Sequence, residues 1–238
     1  MERIASETYD RYIKALMDIS GAITSDLYLD DLLKLIVTVT ANATGVQICS
    51  LWLIDETCEP PVIRLKASQA IDPEYVNDRV LNMDEGVVGH VITTNKPFIV
   101  KNVLEEPRFK EKETAKKLGL VSMVGVPLQE REGKVIGVLN CFTAVSHSFL
   151  DTEINLIRTV ANQAAIAIMN TELMVKIKAV REELEVRKLM DRAKDVLILR
   201  RNISVEEAHR WIQKKSMDMR KPIRNVVEDI LLSKEFDD

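Results

Sequence analysis

Twelve lysines and arginines but only five acids lie between Arg187 and Arg224, a net charge of about +7, while the rest of the 238-residue chain carries about −11. A basic block in an otherwise acidic chain selects an anionic partner. Nucleic acid is the commonest such partner and membrane lipid the second. RNA needs cations for its phosphates and planar or apolar surface for unstacked bases. Arg187, Lys188, Arg192 and Lys194 fall within two helical turns, and Lys214, Lys215, Arg220, Lys221 and Arg224 cluster around a later turn. His209 and Trp211 add rings able to stack on a base. The plain alternative is a solvated helical surface with Trp211 in the core.

Catalytic chemistry has little to stand on. His90, His147 and His209 are isolated, with no HExxH and no cluster at metal-ligand spacing. Gly86-Val87-Val88-Gly89 lacks the lysine and hydroxyl residue that complete a phosphate loop. Cys49, Cys58 and Cys141 are odd in number and include no CxxC, which fits reduced thiols of a cytosolic protein. The expectation is a protein that is not an enzyme and has no metal or cofactor.

Several elements must position these residues. An apolar fraction of 46% and a charged fraction of 29% fit a globular protein. No apolar run approaches the ~18–20 residues of a membrane span, and the N-terminus does not read as a secretory signal. Tyr9, Tyr12, Leu16, Ile19 and Ile23 recur at helical spacing. A second helix is expected over 29–43, stopped by Gly45. Strands are expected over 46–54, 59–70, 98–103, 122–129 and 134–143, the last two joined by a hairpin at 130–133. Period alone does not decide between helix and strand for 87–94. The segment 104–118 reads as a charged loop and short helix.

From Leu150 to Arg201 neither glycine nor proline interrupts the chain, and one long helix is expected. Its inward face is Ile154, Ile157, Val160, Ala161, Ala164 and Ile168. Leu173, Ile177, Val180 and Leu184 then follow at spacings of four, three and four, a heptad seam that predicts a coiled-coil homodimer. Ser204 and Glu207 form a capping box, and two further helices run over 205–217 and from Lys221-Pro222 onward. Ala193, Leu197, Ala208, Ile212, Val226 and Ile230 can close a three-helix bundle.

Two resemblances follow. Asp84–Pro97, Ser122–Asn140 and Phe149–Asn170, with Gly86, Gly89, Pro127, Gly137 and the run Gln163–Ala167, resemble the GAF sensory domain. The resemblance implies an α+β fold, an antiparallel sheet with helices on one side and a ligand pocket on the other. Trp52, Met83, Val88, Phe98, Met123, Asn140 and Phe142 fall where such a pocket is lined, and the ligand would be an unidentified small molecule. Asn95-Lys96, Phe109 and Glu113 partly match the signature of cyclic-nucleotide-binding GAF domains but depart from it at Glu113-Thr114, so a solvated loop is the expected reading. Three cysteines also invite comparison with GAF-fold sulfoxide reductases, which would require them to meet over the pocket.

The end of the chain resembles the ANTAR domain, an all-α three-helix RNA-binding module of transcription antiterminators. The matching residues are Arg192-Ala193-Lys194 with Leu197, Ser204–Ala208, Ser216-Met217 and Arg220–Ile223; Asp195 and Val227 depart from the usual glycine and alanine. The expected organisation is an N-terminal helix (1–24), a GAF-like sensory domain (25–168), a coiled-coil linker (169–186) and an ANTAR-like bundle (187–238). The expected function is a cytoplasmic antitermination regulator that grips RNA hairpin loops in leader transcripts. The alternative is a small-molecule sensor whose C-terminal helices dock a protein.

Overall fold

The computed structural model describes residues 2–25, 27–69, 79–130 and 132–232. Ala70, the expected end of the second strand, and residue 131 of the expected hairpin lie outside them. Two compact units divide the chain, Met1–Thr171 and Glu172–Asp238.

The first unit opens with α1 (Glu2–Ile23) and α2 (Leu29–Thr44). Gly45 ends α2 at φ 73°, and its N–H donates to the Ala41 carbonyl at 2.8 Å. A side chain in this left-handed position costs about 1 kcal/mol or more, which glycine avoids. The strands are β1 (Ile48–Asp55), β2 (Val62–Ser68), β3 (Val80–Asn82), β4 (Phe98–Val100), β5 (Ser122–Gln129) and β6 (Val135–Thr143). They form one sheet in the order β3-β2-β1-β6-β5-β4. Every pairing is antiparallel. The undecided segment is a helix, α3 (Gly86–Thr94), and the charged loop carries α4 (Lys112–Leu118). This is the α+β architecture expected.

Period-two alternation sends successive side chains of each strand to opposite faces. Leu51, Val124, Leu128 and Leu139 join α2 residues Leu33 and Ile36 and the inward residues Ile157, Val160 and Ala164 in one core. Trp52, Ile63, Met123, Val138 and Phe142 join Val88 and Val91 of α3 and Phe109 in a second core on the other face.

Helix α5 (Asp151–Arg201) is the long uninterrupted helix expected, with acids Asp151 and Glu153 in its first turn. Beyond Thr171 its apolar seam is uncovered: Leu173, Ile177, Val180 and Leu184 are each half exposed. Asn202, at φ 51°, follows its last turn. Helices α6 (Val205–Met219) and α7 (Ile223–Leu232) complete the second unit. Ala193, Leu197, Ala208, Ile212, Val226, Val227 and Ile230 make its core. Ser204 accepts from the Glu207 N–H at 3.2 Å, and the Glu207 carboxylate accepts from the Ser204 N–H at 2.8 Å.

Candidate nucleic-acid interface and ligand pocket

The cations of α5 divide by helical spacing. Glu185, Lys188 and Arg192, at spacings of three and four, share one flank of the buried stripe. Glu185 Oε2 lies 3.7 Å from Arg224 Nη2 at the start of α7, so this flank adjoins α7. Arg187, Lys194 and Arg201, seven apart, share the other flank. The Arg201 guanidinium stands 4.9 Å from the centre of the Trp211 ring, so this flank adjoins α6. Four residues that sequence proximity grouped together therefore form two pairs.

On α6, His209 and Trp211 are two residues apart and point to different sides, so they make no common stacking surface. Trp211 is half-buried against the bundle core, with Lys215 Nζ 5.8 Å from its ring centre. The α6–α7 turn is tightly built. Arg220 takes a left-handed conformation at φ 50°, its N–H donates to the Met217 carbonyl at 3.1 Å, and Ser216 Oγ donates to the Lys221 carbonyl at 2.6 Å.

Several candidate cations face acids. Lys194 pairs with Asp191 at 2.7 Å, Lys221 with Asp229 at 3.3 Å, and Arg224 Nε with Glu228 at 2.9 Å. Hydrogen bonding from Lys194 lowers the Asp191 carboxyl, and that to Glu228 raises the Arg224 guanidinium further. Arg187, Lys188, Arg192, Lys214, Lys215 and Arg220 make no ion pair with the described residues.

The second core of the first unit contains a cavity of about 30 Å3. Five of the seven expected lining residues reach it: Trp52, Val88, Met123, Asn140 and Phe142. Met83 and Phe98 pack against the same core without lining the cavity. Lys110 and Glu111 line it and were missed, and Phe109, expected in a solvated loop, is buried and lines it too, because nothing in a charged loop marks which residues fold inward. The cavity holds about a water or two, against roughly 300–1,000 Å3 for an organic ligand. Any larger ligand must displace part of the lining.

Its polar groups are few. Trp52 Nε1 donates to Ser50 Oγ at 3.3 Å. Asn140, paired with Ser50 on one side and Gly125 on the other, buries an Oδ1 with no hydrogen-bond partner among the described residues. At the rim, Glu111 pairs with Arg79, and burial pushes the Glu111 carboxyl up.

The residues of the partial cyclic-nucleotide signature do not meet. Phe109 lines the cavity, Glu113 is exposed and pairs with Lys116 at 3.0 Å, and Asn95 caps α3 and donates to the Gly133 carbonyl at 3.1 Å. All three cysteines are free. Cys49 and Cys141 oppose each other across β1 and β6 with sulfurs 3.7 Å apart, but in the helix-covered core, on the face away from the cavity. Burial raises the Cys49 thiol well above its usual range. Among the described residues no group of three or more His, Cys, Asp or Glu could hold a metal ion, and no helix is long and apolar enough to cross a membrane.

Comparison with known proteins matches this architecture. The GAF domain model matches residues 28–168, more than half of the chain, and the ANTAR domain model matches 178–231. The chain belongs to the GAF domain family and carries an ANTAR domain behind the GAF domain, so it joins a sensory domain to a regulatory one.

The GAF domain of an Acinetobacter phosphoenolpyruvate-protein phosphotransferase is 28% identical, with a TM-score of 0.58 over 68% of this chain and 94% of that one. The corresponding domain from Coxiella burnetii is 24% identical, with a TM-score of 0.62 over 70% and 97%. Among curated proteins, a methyl sulfide methyltransferase-associated sensor of Methanosarcina acetivorans is 26% identical over 75% of this chain and 18% of its own length. A Nif-specific regulatory protein of Azospirillum lipoferum is 27% identical over 52% of this chain and 20% of its own length. The chain thus spans about a fifth of the length of these curated relatives.

Proposed function

We propose that this protein is a transcription antitermination regulator that binds RNA hairpins through its C-terminal bundle. In this reading residues 25–168 sense a small molecule or mediate dimerisation, 169–186 join two copies as a coiled coil, and 187–238 bind RNA in the cytoplasm. The observation that carries the reading is the ANTAR match on a three-helix bundle with Arg187, Lys188, Arg192, Lys214 and Arg220 exposed. Lysines and arginines on such a surface release counterions from a nucleic-acid backbone. The uncovered seam at Leu173, Ile177, Val180 and Leu184 supports the homodimer.

Two bundles on one scaffold act as one strong site when two hairpins are correctly spaced, because the second contact becomes intramolecular. Binding both hairpins then favours them over a competing terminator stem. The test crosslinks the protein to cellular RNA, sequences the fragments, and compares single and paired hairpins in gel shifts. Paired hairpins are expected to bind far more tightly; equal affinity sinks the two-site mechanism, and recovery of no RNA sinks the reading.

A second reading has the C-terminal helices dock a protein partner. It is favoured by the exposed apolar side chains Leu199, Val205 and Met217. Steep salt dependence of RNA binding separates the two.

A further inference from the structure

The charges along the edges of the open seam on α5 select what covers it. Leu173, Ile177, Val180 and Leu184 are each half exposed and all lie in the second unit. Helices α6 and α7 do not compete for them. Ala193 and Leu197, which face the bundle core, lie about 180° and 220° round the helix from Leu184. With Ile177 and Leu184 at a and Leu173 and Val180 at d, Lys176 and Glu183 occupy g, and Met174, Arg181 and Lys188 occupy e. Lys176 and Glu183 are exposed, and neither makes an ion pair with a described residue. They stand seven residues apart on one edge, about 10 Å, too far to pair with each other.

Two copies can close this seam in two directions. In a parallel pair each g residue faces the partner's next e residue. Glu183 then meets the partner's Lys188, but Lys176 meets the partner's Arg181, and at the next d position Arg187 opposes the partner's Arg187. In an antiparallel pair Leu173 faces the partner's Leu184, and Ile177 faces the partner's Val180. There g faces g and e faces e, so Lys176 meets the partner's Glu183 twice, by symmetry, and Met174 lies beside the partner's Arg181. The two Arg187 side chains move to opposite ends, so no like charges oppose each other along the seam.

We infer that a second copy of this chain covers the seam with its α5 running antiparallel. The inference rests on the coiled-coil reading above and adds the direction. Exposed ion pairs are individually weak, but the direction is set by the difference between the two arrangements, and the like-charge contacts count against the parallel one. The antiparallel pair separates the Ala193 residues of the two copies by about 29 residues of helical rise, roughly 44 Å, where the parallel pair holds them about 10 Å apart. It also leaves Arg187 free of a like charge.

The test uses the full chain. Sedimentation equilibrium at low salt compares K176E, E183K and K176E/E183K with the wild type. Each single variant is expected to weaken the dimer about two- to tenfold, and the double variant to regain wild-type affinity. In the parallel arrangement K176E relieves the clash with Arg181 and tightens the dimer, so a tighter or unchanged K176E dimer overturns the inference. Independently, a spin label is placed at L199C in a C58S background, with the buried Cys49 and Cys141 retained; Leu199 is 85% exposed and lies outside the seam. The antiparallel pair is expected to give a label separation of roughly 60 Å. A separation under about 30 Å in a dimer overturns the direction and leaves the coiled coil standing. A wild-type monomer sinks the coiled coil and the direction together.

Discussion

Arg224 of α7 reaches Glu185 of α5 at 3.7 Å while its Nε donates to Glu228 at 2.9 Å. Two carboxylates thus occupy a guanidinium that the RNA-binding reading assigns to phosphate. Exposed pairs of this kind are screened by solvent, so the competition is mild. Glu185→Gln with Glu228→Gln is expected to raise RNA affinity about two- to tenfold at low salt, read by gel shifts with hairpins. Affinity that falls instead shows that these acids organise Arg224 for binding.

Asn140 and Gly125 predict a packing conflict. A Cβ added at Gly125 would stand 2.8 Å from Asn140 Oδ1 and 3.2 Å from Val91 Cγ2. Gly125→Ala is expected to destabilise the protein by about 1–3 kcal/mol in urea unfolding. The double variant with Asn140→Ala is expected to recover part of that loss, a coupling of at least ~0.5 kcal/mol. Strict additivity rules out the conflict as the cause.

The seam predicts the assembly. Ile177→Asp and Leu184→Asp place charges among half-exposed apolar residues of α5. Sedimentation equilibrium is expected to give a dimer for the wild type and a monomer for the double variant, with helix content retained. A wild-type monomer refutes the coiled coil.

Asp55 predicts an acid limb of stability. Its carboxylate accepts from the Thr57 hydroxyl and from Arg64 Nε at 2.6 Å, and these bonds hold it far below the usual carboxylate range. A depressed folded-state value stabilises the fold above the unfolded value of ~3.9, and the contribution is lost as pH falls through the folded value. The difference in urea midpoint between wild type and Asp55→Asn is therefore expected to be full at pH 5 and to shrink as pH drops below about 4. A constant difference down to pH 2 contradicts the assignment.

Long periodic segments were the most legible. The start and end of α5 followed from an unbroken helical pattern, and β5 and β6 from two apolar runs joined by a glycine-containing turn. Strand β3 was missed because its three residues, mostly exposed, carry no alternation. Helix α3 stayed undecided because Val87, Val88, Val91 and Ile92 are β-branched and fit either period. The cations were legible as a block but not as an arrangement. Residues adjacent in a helical sequence point apart, which is why Arg187 and Lys188 lie on different flanks and why Arg201, seven residues beyond Lys194, escaped notice. The cavity was legible where strands supply it, at Trp52, Met123, Asn140 and Phe142, and illegible where a loop does, at Phe109 and Glu111.

A single sheet with separate apolar layers above and below it has an evolutionary consequence. Because neighbouring strand positions such as Leu51 and Trp52 serve opposite layers, mutations that reshape one layer leave the other's contacts in place. The lining of the cavity beside Trp52 can change while the layer that holds Leu51 keeps its packing. Such insulation lets one face of the scaffold be reshaped without the other being rebuilt.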